Sequence, residues 1–111
     1  MKINKRKNGE IVILDLDGKL LTGNDVGYFR EIFDTLIKGG ETKIILNLKK
    51  LRMMDSTGLG ELTRSYTTAK NNGGMIKLVD LTAKIKDLLF ITKIITIFET
   101  YDSEDEAVKS F

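Results

Sequence analysis

The sequence predicts an α/β domain built on a mostly parallel central sheet, with an antiparallel hairpin strand at its N-terminus and four helices. Two observations carry that prediction. Short β-branched apolar runs alternate along the chain with stretches whose apolar residues recur at three- and four-residue steps, as strands and amphipathic helices do. The first two runs flank Asn8-Gly9, the dipeptide best suited to a two-residue type I′ hairpin turn. Strands alternating with helices imply crossovers between parallel strands, which leaves the opening hairpin as the antiparallel portion.

The elements follow in order. Lys2 to Lys7 and Glu10 to Leu16 form the hairpin, and Ile11-Val12-Ile13-Leu14 is apolar throughout, as in a strand covered on both faces. Thr22-Gly23-Asn24-Asp25 predicts a helix start through a Thr-x-x-Asp capping box, and Gly39-Gly40 its end. Between them Val26, Phe29, Ile32, Phe33, Leu36 and Ile37 make one apolar face. Lys43 to Leu48 is a buried strand. The next helix opens at Asp55-Ser56-Thr57, places Leu59, Leu62, Tyr66 and Ala69 on one stripe with Glu61, Arg64, Ser65 and Lys70 mostly elsewhere, and stops at Asn71-Asn72-Gly73-Gly74. Met75 to Val79 is a strand, Thr82 to about Phe90 a helix capped by Thr82, Ile95 to Thr100 a last strand. Ser103-Glu104-Asp105-Glu106 is a capping box opening a terminal helix.

At 111 residues the chain has the size of one domain, spanning 1–111, and its 41% hydrophobic and 31% charged residues fit a globular protein. It contains neither cysteine nor histidine, which excludes disulfides, thiol catalysis, Ser-His nucleophilic pairs and the commonest metal sites. A net charge of +2 with intermixed signs argues against nucleic acid or membrane as partner. The basic cluster Lys2, Lys5, Arg6 and Lys7 has no interleaved aromatic residue and is expected to be a solvated strand edge. With no run of about 18 apolar residues and no signal-peptide core, the expected location is cytoplasmic.

The chemically suggestive stretch is Met53-Met54-Asp55-Ser56-Thr57-Gly58-Leu59-Gly60-Glu61-Leu62, where an apolar run passes into a helix through hydroxyl and glycine residues. Asp55, Ser56 and Thr57 all cap helix N-termini, so Ser56 belongs at or beside the cap. A helix start carries partial positive charge and free N–H donors. A phosphate on Ser56 would be tolerated there, adding roughly −1.5 to −2 charge at one point. From spacing alone plain capping is the favoured reading, since hydroxyl caps are common.

Other chemistries find less support. Ser56-Thr57-Gly58-Leu59-Gly60 lacks the Gly-Lys-Ser/Thr end of a P-loop, and Thr63 stands where a dinucleotide fingerprint needs its third glycine. Ser56 has no histidine base, and a pairing with Lys49 or Lys50 has no supporting motif. Asp15, Asp17 and Asp25 match no calcium loop and are expected to be turn or cap residues. No enzyme activity, cofactor or metal is expected.

Met54-Asp55-Ser56-Thr57-Gly58-Leu59-Gly60, preceded by Ile44-Ile45-Leu46-Asn47-Leu48 and followed by Asn72-Gly73-Gly74, resembles the signature of the STAS family, and most closely the bacterial anti-sigma factor antagonists. The resemblance runs from about Glu10 to Phe111 and implies the STAS fold, in the element order β-β-α-β-α-β-α-β-α. It implies that Ser56, matching the family's modified serine, is phosphorylated by a partner serine kinase that is also the anti-sigma factor. A separate serine phosphatase would remove the phosphate. The unphosphorylated protein would bind the kinase and free its client, with ATP and magnesium belonging to the partner. The expected partner-binding residues are Met54, Asp55, Ser56, Thr57, Gly58, Gly60, Glu61 and Arg64.

One departure stands out. Many members carry acidic residues after the glycine at the end of the second strand, whereas Gly18-Lys19-Leu20-Leu21 has none. That leaves open a constitutive scaffold in a transport or sensory complex, without serine phosphorylation.

Overall fold

Residues 1–111 are described by a computed structural model. β1 (Lys2–Asn8) pairs antiparallel with β2 (Ile11–Leu20), and Asn8 faces Ile11, so the two loop residues are Gly9 and Glu10. The turn therefore sits one residue later than Asn8-Gly9 suggests. Only Gly9 has positive φ (62°), the pattern of a type II′ turn, in which glycine is needed at the first loop position alone.

From β2 the chain passes through α1 (Asn24–Lys38), β3 (Lys43–Met54), α2 (Ser56–Asn71), β4 (Met75–Val79), α3 (Ala83–Ile91), a single 3-10 turn over Ile94–Thr96, β5 (Glu99–Tyr101) and α4 (Glu104–Lys109). The sheet order is β1-β2-β3-β4-β5, every pair after the first being parallel. This is the expected α/β architecture of four helices on a mostly parallel sheet.

Alternation along the strands divides the core. Val12, Leu14, Leu16, Ile44, Leu46, Ile76 and Leu78 pack with Phe29, Phe33, Leu62 and Leu89 of α1, α2 and α3 in the larger cluster. Ile11, Ile13, Ile45 and Val79 meet Ala107 of α4 on the other face. Since α4 is short, it covers only part of that face.

Several boundaries differ from expectation. β3 continues six residues past Leu48, because Leu51 and Met54 remain buried while Lys50 and Arg52 alternate outward along β2. The Ile95–Thr100 strand shrinks to Glu99–Tyr101, since Ile94 and Ile95 turn inward against the larger core. The Thr22 capping box is not formed. Gly23 occupies the N-cap with φ 93°, a conformation open to glycine, while Asp25 accepts a hydrogen bond from the Leu21 N–H (3.2 Å). Thr82 and Ser103 cap α3 and α4 as their spacing requires, accepting from the Ile85 and Glu106 N–H groups.

Candidate functional site: the start of α2

Where β3 ends, Asp55 takes an extended conformation (φ −94°, ψ −176°) and becomes the N-cap of α2. Its carboxylate has two jobs. Oδ1 accepts from the Gly58 N–H (2.8 Å), satisfying a donor the first turn leaves orphaned, and Oδ2 accepts from the Thr22 N–H (2.8 Å) in the loop entering α1. The Thr22 bond, then that of Gly58, holds the Asp55 carboxyl below the usual carboxylate range. The cap is expected from residue type; the link to Thr22 is not, because a backbone donor leaves no mark in the sequence.

With Asp55 capping, Ser56 becomes the first residue of the helix. It is exposed, its hydroxyl makes no hydrogen bond within the chain, and Thr57 beside it is exposed as well. An unengaged hydroxyl thus stands at the positive end of a 16-residue helix, with its position fixed by the capping aspartate before it.

The two glycines that follow serve different ends. A Cβ on Gly58 would lie 2.2 Å from the Leu20 carbonyl oxygen and 3.0 Å from Met54 Cγ, so glycine is what lets α2 rest against the end of β2. Around Gly60 there is open space for a Cβ, and the residue is exposed.

Three of the expected partner-binding residues are corrected. Met54 is only 6% exposed because the alternation of β3 turns it into the core; its neighbour Met53 is the one that reaches solvent. Gly58 is buried beneath the β2 end. Glu61 lies inward at 2% exposure instead of on the outer stripe. α1 and α2 run side by side, and two guanidinium groups close over the Glu61 carboxylate: Arg30 donates to Oε1 through Nε (2.9 Å) and Nη2 (2.7 Å), and Arg64 donates to Oε2 through Nε (2.9 Å). Arg64 also donates to Asp34 (2.9 Å). Burial of Glu61 is electrostatically tolerable only because both arginines satisfy it. Ser65, likewise buried, donates its hydroxyl to the Glu61 carbonyl. Arg64 remains partly exposed beside Gly60. Asp55, Ser56, Thr57, Gly60 and Arg64 are therefore the expected residues that keep exposed surface.

The residues of the second-strand departure sit close by. Gly18 is buried with φ 118°, Lys19 is exposed, Leu20 is sealed and Leu21 half-buried. No trio of Asp or Glu side chains is arranged to hold a metal ion, and Asp15 is tied instead to Arg6 and Asn4. No helix is long and apolar enough to cross a membrane.

The chain is thus an α/β domain with a solvent-facing serine behind a capping aspartate, at the helix start after its central strand. The sequence profile of the STAS domain matches residues 2–107, and the chain belongs to that family. A Thermotoga maritima protein provisionally named an anti-sigma factor antagonist is 28% identical over 100 residues, covering 90% of this chain and 88% of that one. A crystal structure from Thermotoga maritima, under a similarly provisional name, superimposes with a TM-score of 0.90 at 26% identity, covering 97% of this chain and 92% of that one. The phosphorylated form of the Bacillus cell fate determinant SpoIIAA shares the fold (TM-score 0.76, 22% identity, 98% of each chain).

Proposed function

We propose that the protein is an anti-sigma factor antagonist working by partner switching. The unphosphorylated chain binds an anti-sigma factor serine kinase through the exposed start of α2, freeing the kinase's client, and phosphorylation of Ser56 releases it. A serine phosphatase resets the cycle. The observation that carries this reading is the Ser56 hydroxyl: exposed, without an internal partner, at the first position of α2. The provisional anti-sigma factor antagonist names of the Thermotoga maritima relatives support it.

The physical logic is local. A phosphate on Ser56 meets free N–H donors and the positive helix end, so the fold tolerates it. Docked against a partner, the same dianion must be desolvated beside the ionised Asp55. An affinity loss of 10- to 100-fold requires only about 1.4 to 2.8 kcal/mol, within the cost of an unpaired interfacial charge. Incubation with the cognate kinase and ATP, followed by mass-spectrometric mapping, should place the phosphate on Ser56. Label elsewhere, or none, would overturn the proposal.

Lys19 favours a second reading. A cation, exposed where many members carry acids, suits a scaffold subunit of a transport or sensory complex in which Ser56 stays unmodified. A lack of labelling by every co-encoded kinase would select it.

A further inference from the structure

The sheet face that α4 leaves uncovered carries an unbalanced charge. Lys2 on β1 and Lys49 and Lys50 on β3 line a cavity on it, and Lys2, Lys19 on β2 and Arg52 on β3 line an adjoining one that opens toward Asp25 of α1; the two share Lys2 and Asp17. None of the five forms an ion pair within 4 Å. The carboxylates nearby are mostly spent: Arg6 donates to both oxygens of Asp15 at 2.7 Å, and Asp25 is held by the chain's N-terminal ammonium and the Leu21 N–H. Asp17 alone is unpaired. A nearly neutral chain thus concentrates five free cations against one free acid along two adjoining cavities. The basic N-terminal cluster is correspondingly divided, Arg6 and Lys7 being used internally and Lys2 left facing the basin.

We propose that this basin binds a small polyanion bearing two or more phosphate groups. The spacing sets the number. Lys2, Asp17 and Lys50 lie in register across β1, β2 and β3, so the two lysines project from strands roughly 10 Å apart, and Arg52 lies roughly 7 Å further along than Lys50. One phosphate does not span such distances, whereas linked phosphates do. The lining sets the class. The cavity lined by Lys49 and Lys50, about 420 Å³, has Leu16 as its only apolar residue, and neither cavity has an aromatic ring on which a base could stack. Recognition is therefore of phosphates and not of a nucleobase. Soluble oligophosphates and the headgroup of a multiply phosphorylated lipid both present this chemistry.

Titration of the full chain with inorganic tripolyphosphate, followed by amide chemical shifts at low salt, should perturb residues around Lys2, Asp17 and Lys50. The Lys49→Gln/Lys50→Gln variant should bind at least 10-fold more weakly, and Lys84→Gln/Lys86→Gln on α3 should bind as the parent does. Thermal melts establish that both variants fold, since all four lysines are exposed. A parallel arm measures sedimentation with phosphatidylcholine vesicles with and without a bisphosphorylated phosphoinositide. Binding to those vesicles alone, lost in Lys49→Gln/Lys50→Gln, assigns the basin to a lipid headgroup; binding to tripolyphosphate assigns it to a soluble ligand. Absence of both, or binding that survives loss of Lys49 and Lys50, overturns the proposal.

Discussion

Replacing Gly58 and Gly60 by alanine, two positions in the same helix, should move stability in opposite directions. In an exposed helix interior alanine is better than glycine by about 0.5–1 kcal/mol, because it loses less backbone entropy. At Gly60 no atom lies within 4 Å of where the new methyl carbon would stand, so Gly60→Ala should collect that gain. At Gly58 the added carbon would stand 2.2 Å from the Leu20 carbonyl oxygen, and Cβ contacts under 3.0 Å are essentially never seen. The neighbour is backbone of β2 and cannot rotate away, so α2 and the β2 end must part by roughly 0.8 Å. Overpacking of this kind costs about 1–3 kcal/mol, which outweighs the propensity gain and also disturbs the Asp55–Thr22 link beside it. Urea unfolding should show Gly58→Ala less stable by about 2 kcal/mol, with a Tm lower by roughly 8 °C, and Gly60→Ala more stable by up to about 1 kcal/mol. A neutral or stabilised Gly58→Ala would refute the close-approach argument.

Three further outcomes follow from the same geometry. Glu61→Gln, which weakens two arginine clamps but keeps the shape, should cost about 1–2 kcal/mol in urea unfolding and leave partner affinity unchanged; a changed affinity at unchanged stability would return Glu61 to the interface. The Arg6 guanidinium, bonded to both Asp15 and Glu104, is the largest cause holding each carboxyl below its ordinary value. Depressed carboxyls stabilise fully above their unfolded values near pH 4 and lose that contribution as pH falls through the folded ones, so unfolding free energy should decline below about pH 4. In Asp15→Asn/Glu104→Gln that decline should flatten, and an unaltered acid profile would remove the network from the account. Asp55→Asn should unfold at lower denaturant while retaining the Ser56 hydroxyl, and hydrogen exchange should be faster at Thr22 and Gly58, the two amides its carboxylate holds.

The parts legible in the sequence are those where one residue type answers one local demand. Thr82 and Ser103 are caps wherever the chain is read, and the apolar stripe of α1 declares its buried face. The hairpin is visible through Gly9, but the turn type depends on strand twist, so its position slips by one. β3 reads as short because Lys49 and Lys50 interrupt the apolar run; the Lys50-Leu51-Arg52 alternation is the signal that its pairing with β2 continues. Glu61 reads as an outer residue because a carboxylate on a helix is ordinarily solvated. Its burial depends on Arg30, 31 residues away on the neighbouring helix, and no local pattern encodes that contact. The Ser56 position is legible because three capping residues in succession admit little else, whereas the Asp55–Thr22 bond belongs to tertiary structure.

The central claim is that charge on the Ser56 oxygen decides whether a partner can dock at the start of α2. Its most direct test is a calorimetric comparison of the purified protein, unphosphorylated and stoichiometrically phosphorylated at Ser56, binding the same kinase. The account predicts a Kd at least 10-fold larger for the phosphorylated form, with Ser56→Ala binding as the unphosphorylated parent does. Equal affinity of the two forms would contradict it.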